Sequence, residues 1–247
     1  MPSTTKGPYA AAVREALAWL ERHGSKRTRD DLMPRYGIHT DRAFGVSVAD
    51  VRRLAKQLGH DHGLAGALWD TGWYEARLLA AFVGEPARVT PAQMDRWCRD
   101  FDNWAVCDTA CFHLFDRTPH AFAKVALWAG RKGEFVRRAA FALLASLALH
   151  DKQSGDEPFV RCLPLVEAAA TDDRNFVKKA VSWALRAVGG RSADLNAAAV
   201  AVARRLCESP EAAARWVGRD ALRELTGAVM ARRLAARQRA AGGRNGG

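Results

Sequence analysis

Five segments of the chain start at or near an aromatic residue and continue as alanine- and leucine-rich helix. They are YEARLLAAFVG from Tyr74, NWAVCDTACFHLF around Trp104, FVRRAAFALLASLA from Phe135, FVKKAVSWALRAVG from Phe176 and RWVGRDALRELTG around Trp216. The aromatics stand 30, 31, 41 and 40 residues apart. A unit of that length holds a pair of short helices whose apolar face only neighbouring units can cover. Elsewhere apolar residues recur at helical spacing, and no long β-branched run alternates as a strand would. Gly, Pro, Asp and Ser clusters cut the pattern at HGSKRTRDD, VGEPARVTP, FDRTP, AGRKG, HDKQSGDEP, TDDRN, GGRS and ESPE, none long enough to link separate domains.

These features predict an all-α protein, a HEAT-like or armadillo-like α-solenoid of stacked helix pairs. The second helix of each pair would line a concave basic groove, where Trp104, Arg138 and Trp183 could face one another. One domain is expected over residues 1–230, followed by a basic, Gly-rich tail over 231–247, a frayed helix with a disordered end. The longest apolar stretch, Ala139 to Leu149, is too short to span a bilayer and is interrupted by Ser146. The first apolar segment carries charges and has no continuous signal core, so a cytoplasmic location is expected.

The net charge of +11 makes a polyanion the first partner to suspect. Five arginines and no acid lie between Gly227 and Gly247, so about half of the excess could belong to an appendage. Residues 174–191 hold Arg174, Lys178, Lys179, Arg186 and Arg191, again without an acid, and residues 131–138 hold four bases against Glu134. Five cysteines without paired spacing fit a reducing compartment.

Two helical patterns could carry chemistry. Trp104 and Asp108 stand at i and i+4, which puts an indole and a carboxylate on one face, one turn apart. Lys179, Trp183 and Arg186 at i, i+4 and i+7 put an aromatic between cations. Against this, tryptophan in an amphipathic helix is most often core, and exposed cations on a helix are ordinary. Arg137 and Arg138 are adjacent, so only one can point into a groove. Taken alone, composition and spacing support a basic helical solenoid that could bind nucleic acid. Cys107, Cys111 and His113 lack a second ligand pair, so no metal is expected, and His60 and His62 read as a solvated turn in GHDHG. No Walker A motif, nucleophile elbow or dinucleotide fingerprint is present, so no nucleotide cofactor is expected.

The strings NWAVCDTACFHLF, FVRRAAFALLASLALHDK and FVKKAVSWALRAVGGRS, preceded by FGVSVADVRRLAK and LWDTGWYEARLLAAFVGE, resemble successive blocks of the AlkD-like DNA alkylation repair family, in order from about Tyr36 to about Leu225. The resemblance implies a HEAT-like glycosylase that excises cationic N3- and N7-alkylated purines from duplex DNA; no lysine is placed as a Schiff-base nucleophile, so a monofunctional enzyme without strand cleavage is expected. Trp104 and Asp108 match the family's tryptophan and catalytic aspartate, Arg138 its Arg-x-Ala arginine, and Trp183 and Arg186 its Trp-x-x-Arg. The last match implies that Trp183 lines the cleft and brackets the lesion's deoxyribose with Trp104 as part of the catalytic set, while Arg186 grips phosphate. Tyr36 resembles the cleft tyrosine, and Lys179 extends the basic face beside Trp183. Ala105 and Cys107 stand where many members have Asp and Val, which marks a Trp-x-x-Cys-Asp subgroup. A monomer acting on double-stranded DNA in the nucleoid is expected. The alternative is a non-catalytic DNA-binding solenoid, a damage or structure sensor, that leaves Asp108 idle; a protein-interaction scaffold is disfavoured by the bases of residues 174–191.

Overall fold

A computed structural model describes residues 7–242, and among these residues the chain forms 15 α-helices, two short 3-10 turns and no strand. The helices gather into two compact units, one ending at Thr118 and the other beginning at Pro119.

The first unit contains α1 (Ala10–His23), α2 (Lys26–Asp30), α3 (Leu32–Tyr36), α4 (Val48–Leu58), α5 (His62–Asp70), α6 (Tyr74–Val83), α7 (Pro91–Arg99) and α8 (Trp104–His113). Side-chain oxygens fix where several of them start. Ser47 accepts from the Asp50 N–H at 3.2 Å, Asp61 from Leu64 at 2.9 Å and Thr90 from Gln93 at 3.1 Å, with Pro91 at the first helical position. The HGSKRTRDD segment, expected to be only a break, contains α2. Ser25 caps it and its Lys and Arg residues favour helix.

Helices α4, α6 and α8 pack in series, while α1 and α5 pack on α6. Trp69 of α5 and Trp97 of α7 are fully buried and stack at 4.0 Å with planes 2° apart. These two indoles take the packing role, and such a pair adds about 0.5–1.5 kcal/mol beyond area burial.

The same unit buries a carboxylate at Glu75 of α6, with no accessible surface. Its Oε1 accepts the N–H groups of Gly45 at 2.7 Å and Val46 at 3.1 Å, and its Oε2 accepts that of Phe44 at 3.0 Å. The FGV loop is thereby wrapped on one side chain. Gly45 has φ +83, and a Cβ there would come within 2.2 Å of the Ser25 carbonyl oxygen, so only glycine fits the turn.

The second unit contains α9 (Ala121–Ala129), α10 (Glu134–His150), α11 (Glu157–Ala169), α12 (Asn175–Gly189), α13 (Ala193–Cys207), α14 (Ala212–Leu225) and α15 (Ala228–Gly242). Helices α9, α11 and α13 form one row of contacts and α10, α12 and α14 another, the layering of stacked helix pairs. Of the five aromatics that mark the repeat, Tyr74 and Trp104 open α6 and α8, and Phe135 and Phe176 lie one residue inside α10 and α12. Trp216 instead lies four residues into α14. The basic helix expected near the end of the chain is α15, where Arg237 donates to the Arg191 carbonyl at 2.8 Å. Residues 243–247, the end of the expected tail, lie outside the described residues.

Candidate functional site

Asn103 decides where α8 begins. Its side-chain oxygen accepts the Val106 N–H at 3.0 Å, which makes Trp104 the first helical residue and sets Asp108 one turn further along. Both are half-buried, unlike Cys107 and Cys111 of the same helix, which are fully buried. The indole N–H of Trp104 donates to the carbonyl of Tyr36 at 2.8 Å across 68 positions of sequence. Tyr36 ends α3, where Gly37 at φ +64 turns the chain away. Tyr36 as a whole is 43% exposed, and the Arg35 guanidinium lies 5.4 Å from the centre of its ring. Burial, then the charge of Glu75 and the neighbouring Tyr36, hold the Tyr74 phenol above its ordinary range. The first unit therefore brings Tyr36 and the Trp104 and Asp108 pair together.

Beneath this face the Cys111 thiol is a poor nucleophile. Burial pushes the Cys111 thiol well up, helped by its hydrogen bond with Cys107 and, less strongly, by the charge of Asp108.

In the second unit α10 packs on α12. Arg138 of α10 is buried and donates to the Phe176 carbonyl of α12 at 2.7 Å. Arg137 turns the other way, to the Ala129 carbonyl at 3.0 Å and Asp172 at 2.8 Å. On α12 Lys179 is exposed, while Trp183 and Arg186 are half-buried. Arg186 bonds Glu224 of α14 and lies 3.7 Å from Asp220. Two carboxylates already face the guanidinium expected to grip phosphate.

The base-rich, acid-free stretch 174–191 is largely spent inside the unit. Arg174 meets Asp172 at 2.6 Å and the Lys132 carbonyl at 2.8 Å, and Lys178 lies 5.0 Å from the Trp216 ring centre. Arg191 donates to the carbonyls of Asp151 at 2.6 Å, Ser154 at 2.9 Å and Ala148 at 3.2 Å, over the Phe159 ring. Sequence counts these cations but not their partners.

His62 is no solvated turn: it opens α5, its N–H donates to Glu85 at 2.9 Å and its Nε2 meets Gln93 at 2.9 Å. Glu75, which organises the loop after Tyr36, was not singled out. Its only signal was an acid inside an otherwise apolar helix opening.

A family model described as DNA alkylation repair enzyme matches residues 16–225. The chain belongs to the DNA alkylation repair enzyme family. Among solved structures it is similar to one described as a new family of proteins related to the HEAT-like repeat DNA glycosylases with affinity for branched DNA structures. The identity is 20% and the TM-score 0.70, over 78% of this chain and 82% of that one, a likeness that shows the fold. No curated protein matches the chain. Among the described residues of this family member, no helix is long and apolar enough to cross a membrane.

Proposed function

We propose that this member of the family is a monofunctional DNA glycosylase for N3- and N7-alkylated purines. The observation that carries the reading is the half-buried Asp108 one helical turn from Trp104, whose indole is pinned by Tyr36. An alkylated purine of this kind already bears a positive charge, so it leaves without protonation. The C1′–N bond breaks with both electrons going to the base, which departs neutral, and positive charge develops on the sugar. A carboxylate aimed at that charge from a partly dry surface stabilises the transition state. Asp108 has that part and also orients the water that adds to C1′ and loses its proton. Trp104 adds the attraction of an indole face for cations, worth about 0.5–2 kcal/mol depending on desolvation. In the second unit Lys179, Trp183, Arg186 and Arg138 are the candidates for holding DNA, the arginines through phosphates rather than base edges.

The test is release of free N7-methylguanine from methylated duplex DNA. Wild-type protein is expected to liberate the base, and Asp108→Asn to lose release by about 10²-fold or more while keeping most of its DNA affinity. Equal release by Asp108→Asn removes the assignment.

A second reading, a non-catalytic binder of DNA structure, draws on two observations. The similar solved structure is described as having affinity for branched DNA, and Arg186 is occupied by Glu224 and Asp220. It predicts no base release from any alkylated duplex and a preference for junctions over linear DNA.

A further inference from the structure

Asp108 and Trp104 leave the other end of α8 without a role. There His113, the last residue of the helix, joins Arg52 and Lys56 of α4, Phe82 of α6 and His60 around a cavity of about 570 Å³. Nine residues separate His113 from Trp104, roughly 13 Å along the axis. The cavity is built as well as basic. The Arg52 guanidinium lies 5.3 Å from the centre of the Phe82 ring, and its Nη2–H donates to His113 Nε2 at 3.1 Å. A guanidinium offers donors only, so this Nε2 is the acceptor. The imidazole in turn rests 4.8 Å from the Phe82 ring. Lys56 follows Arg52 by one turn of α4, and Gly59 at φ +72 turns the chain so that His60 reaches the rim.

Among the described residues no carboxylate lines this cavity. None is bonded to Arg52 or Lys56, whereas Arg53, Arg77 and Arg96 of the same unit meet Asp50, Asp102 and Asp70. A guanidinium held by a ring face and an imidazole, with an ammonium beside it and no counter-ion, is arranged for the oxygens of a phosphate.

We propose that this cavity binds phosphate, and that the phosphate is a backbone phosphodiester of a DNA strand. The first half stands on the cavity alone; the second rests on the DNA-binding part of the proposed function. Two measurements on the full chain in phosphate-free buffer separate them. Affinity for an undamaged duplex is followed against salt for wild type and for the Arg52→Ala, Lys56→Ala double variant. The double variant is expected to bind about 3–10-fold more weakly, with a log–log salt slope shallower by about 0.9 for one lost contact. In ¹⁵N-histidine-labelled protein, inorganic phosphate is expected to shift the imidazole signals of His60 and His113 in wild type and not in the double variant. Arg52 and Lys56 are both exposed, so the variant should fold, and Arg52→Lys, Lys56→Ala should recover part of the affinity that the double alanine variant loses.

Imidazole shifts with an unchanged salt slope would overturn the DNA half and leave a site for a free phosphate or nucleotide. Unmoved imidazoles up to millimolar phosphate, with an unchanged slope, would overturn the whole proposal. Undamaged DNA is used, so loss of the glycosylase reading would not alter either outcome.

Discussion

Glu75→Gln is nearly isosteric and tests whether one buried carboxylate holds the loop that follows α3. Its Oε1 accepts from Gly45 and Val46 and its Oε2 from Phe44. A glutamine keeps one acceptor oxygen. In its better orientation that oxygen stays with Gly45 and Val46, and the new NH₂ faces the Phe44 N–H, donor against donor. One bond to a charged acceptor, worth about 1.5–3 kcal/mol, is lost, and the orphaned N–H adds about 1–3 kcal/mol. Partial relaxation of the loop recovers some of this, which leaves a net loss of about 2–4 kcal/mol. Urea unfolding followed by tryptophan fluorescence reads the loss, since Trp69 and Trp97 lie in the core of the same unit. Hydrogen exchange should show the amides of Phe44, Gly45 and Val46 losing protection ahead of the rest of the unit. A variant within about 0.5 kcal/mol of wild type, with those three amides still protected, would refute the reasoning.

Other consequences concern the ion pairs of the second unit. If Arg186 grips phosphate, Glu224→Gln with Asp220→Asn should free it and raise duplex affinity about 3–10-fold, steepening the salt slope by about 0.9, and the gain should vanish in an Arg186→Ala background. A gain that persists there would mean only that two negative charges were removed. Hydrogen bonding from the Arg174 guanidinium, joined by Arg137, holds the Asp172 carboxyl down from 3.8 to about 2. A lowered folded-state pKa contributes stability above pH 3.8 that is lost as pH falls toward 2. Acid titrations of stability should therefore be flatter between those values in Asp172→Asn, and an unchanged profile would count against the pair's contribution.

The linear pattern of the chain determined a good deal by itself. Helical spacing and the scarcity of alternating β-branched residues specify an all-α protein, because each side chain's face is fixed by the local period. The 41- and 40-residue intervals after Phe135 and Phe176 emerge as the stacking of α10, α12 and α14. The one-turn spacing of Trp104 and Asp108 is likewise local, needing only a helix that starts where Asn103 caps it.

Tertiary structure decided which charges are left over. Residues 174–191 hold no acid, yet Glu224 and Asp220, more than 30 positions away, take Arg186. Folding likewise set the Trp104 indole on the Tyr36 carbonyl and gathered Arg52, Phe82 and His113 from three helices around one cavity. Helix formation depends on neighbours three or four residues away and can be read along the chain. Charge compensation depends on whichever side chain packs within a few ångströms, and that distance exists only once the helices have stacked.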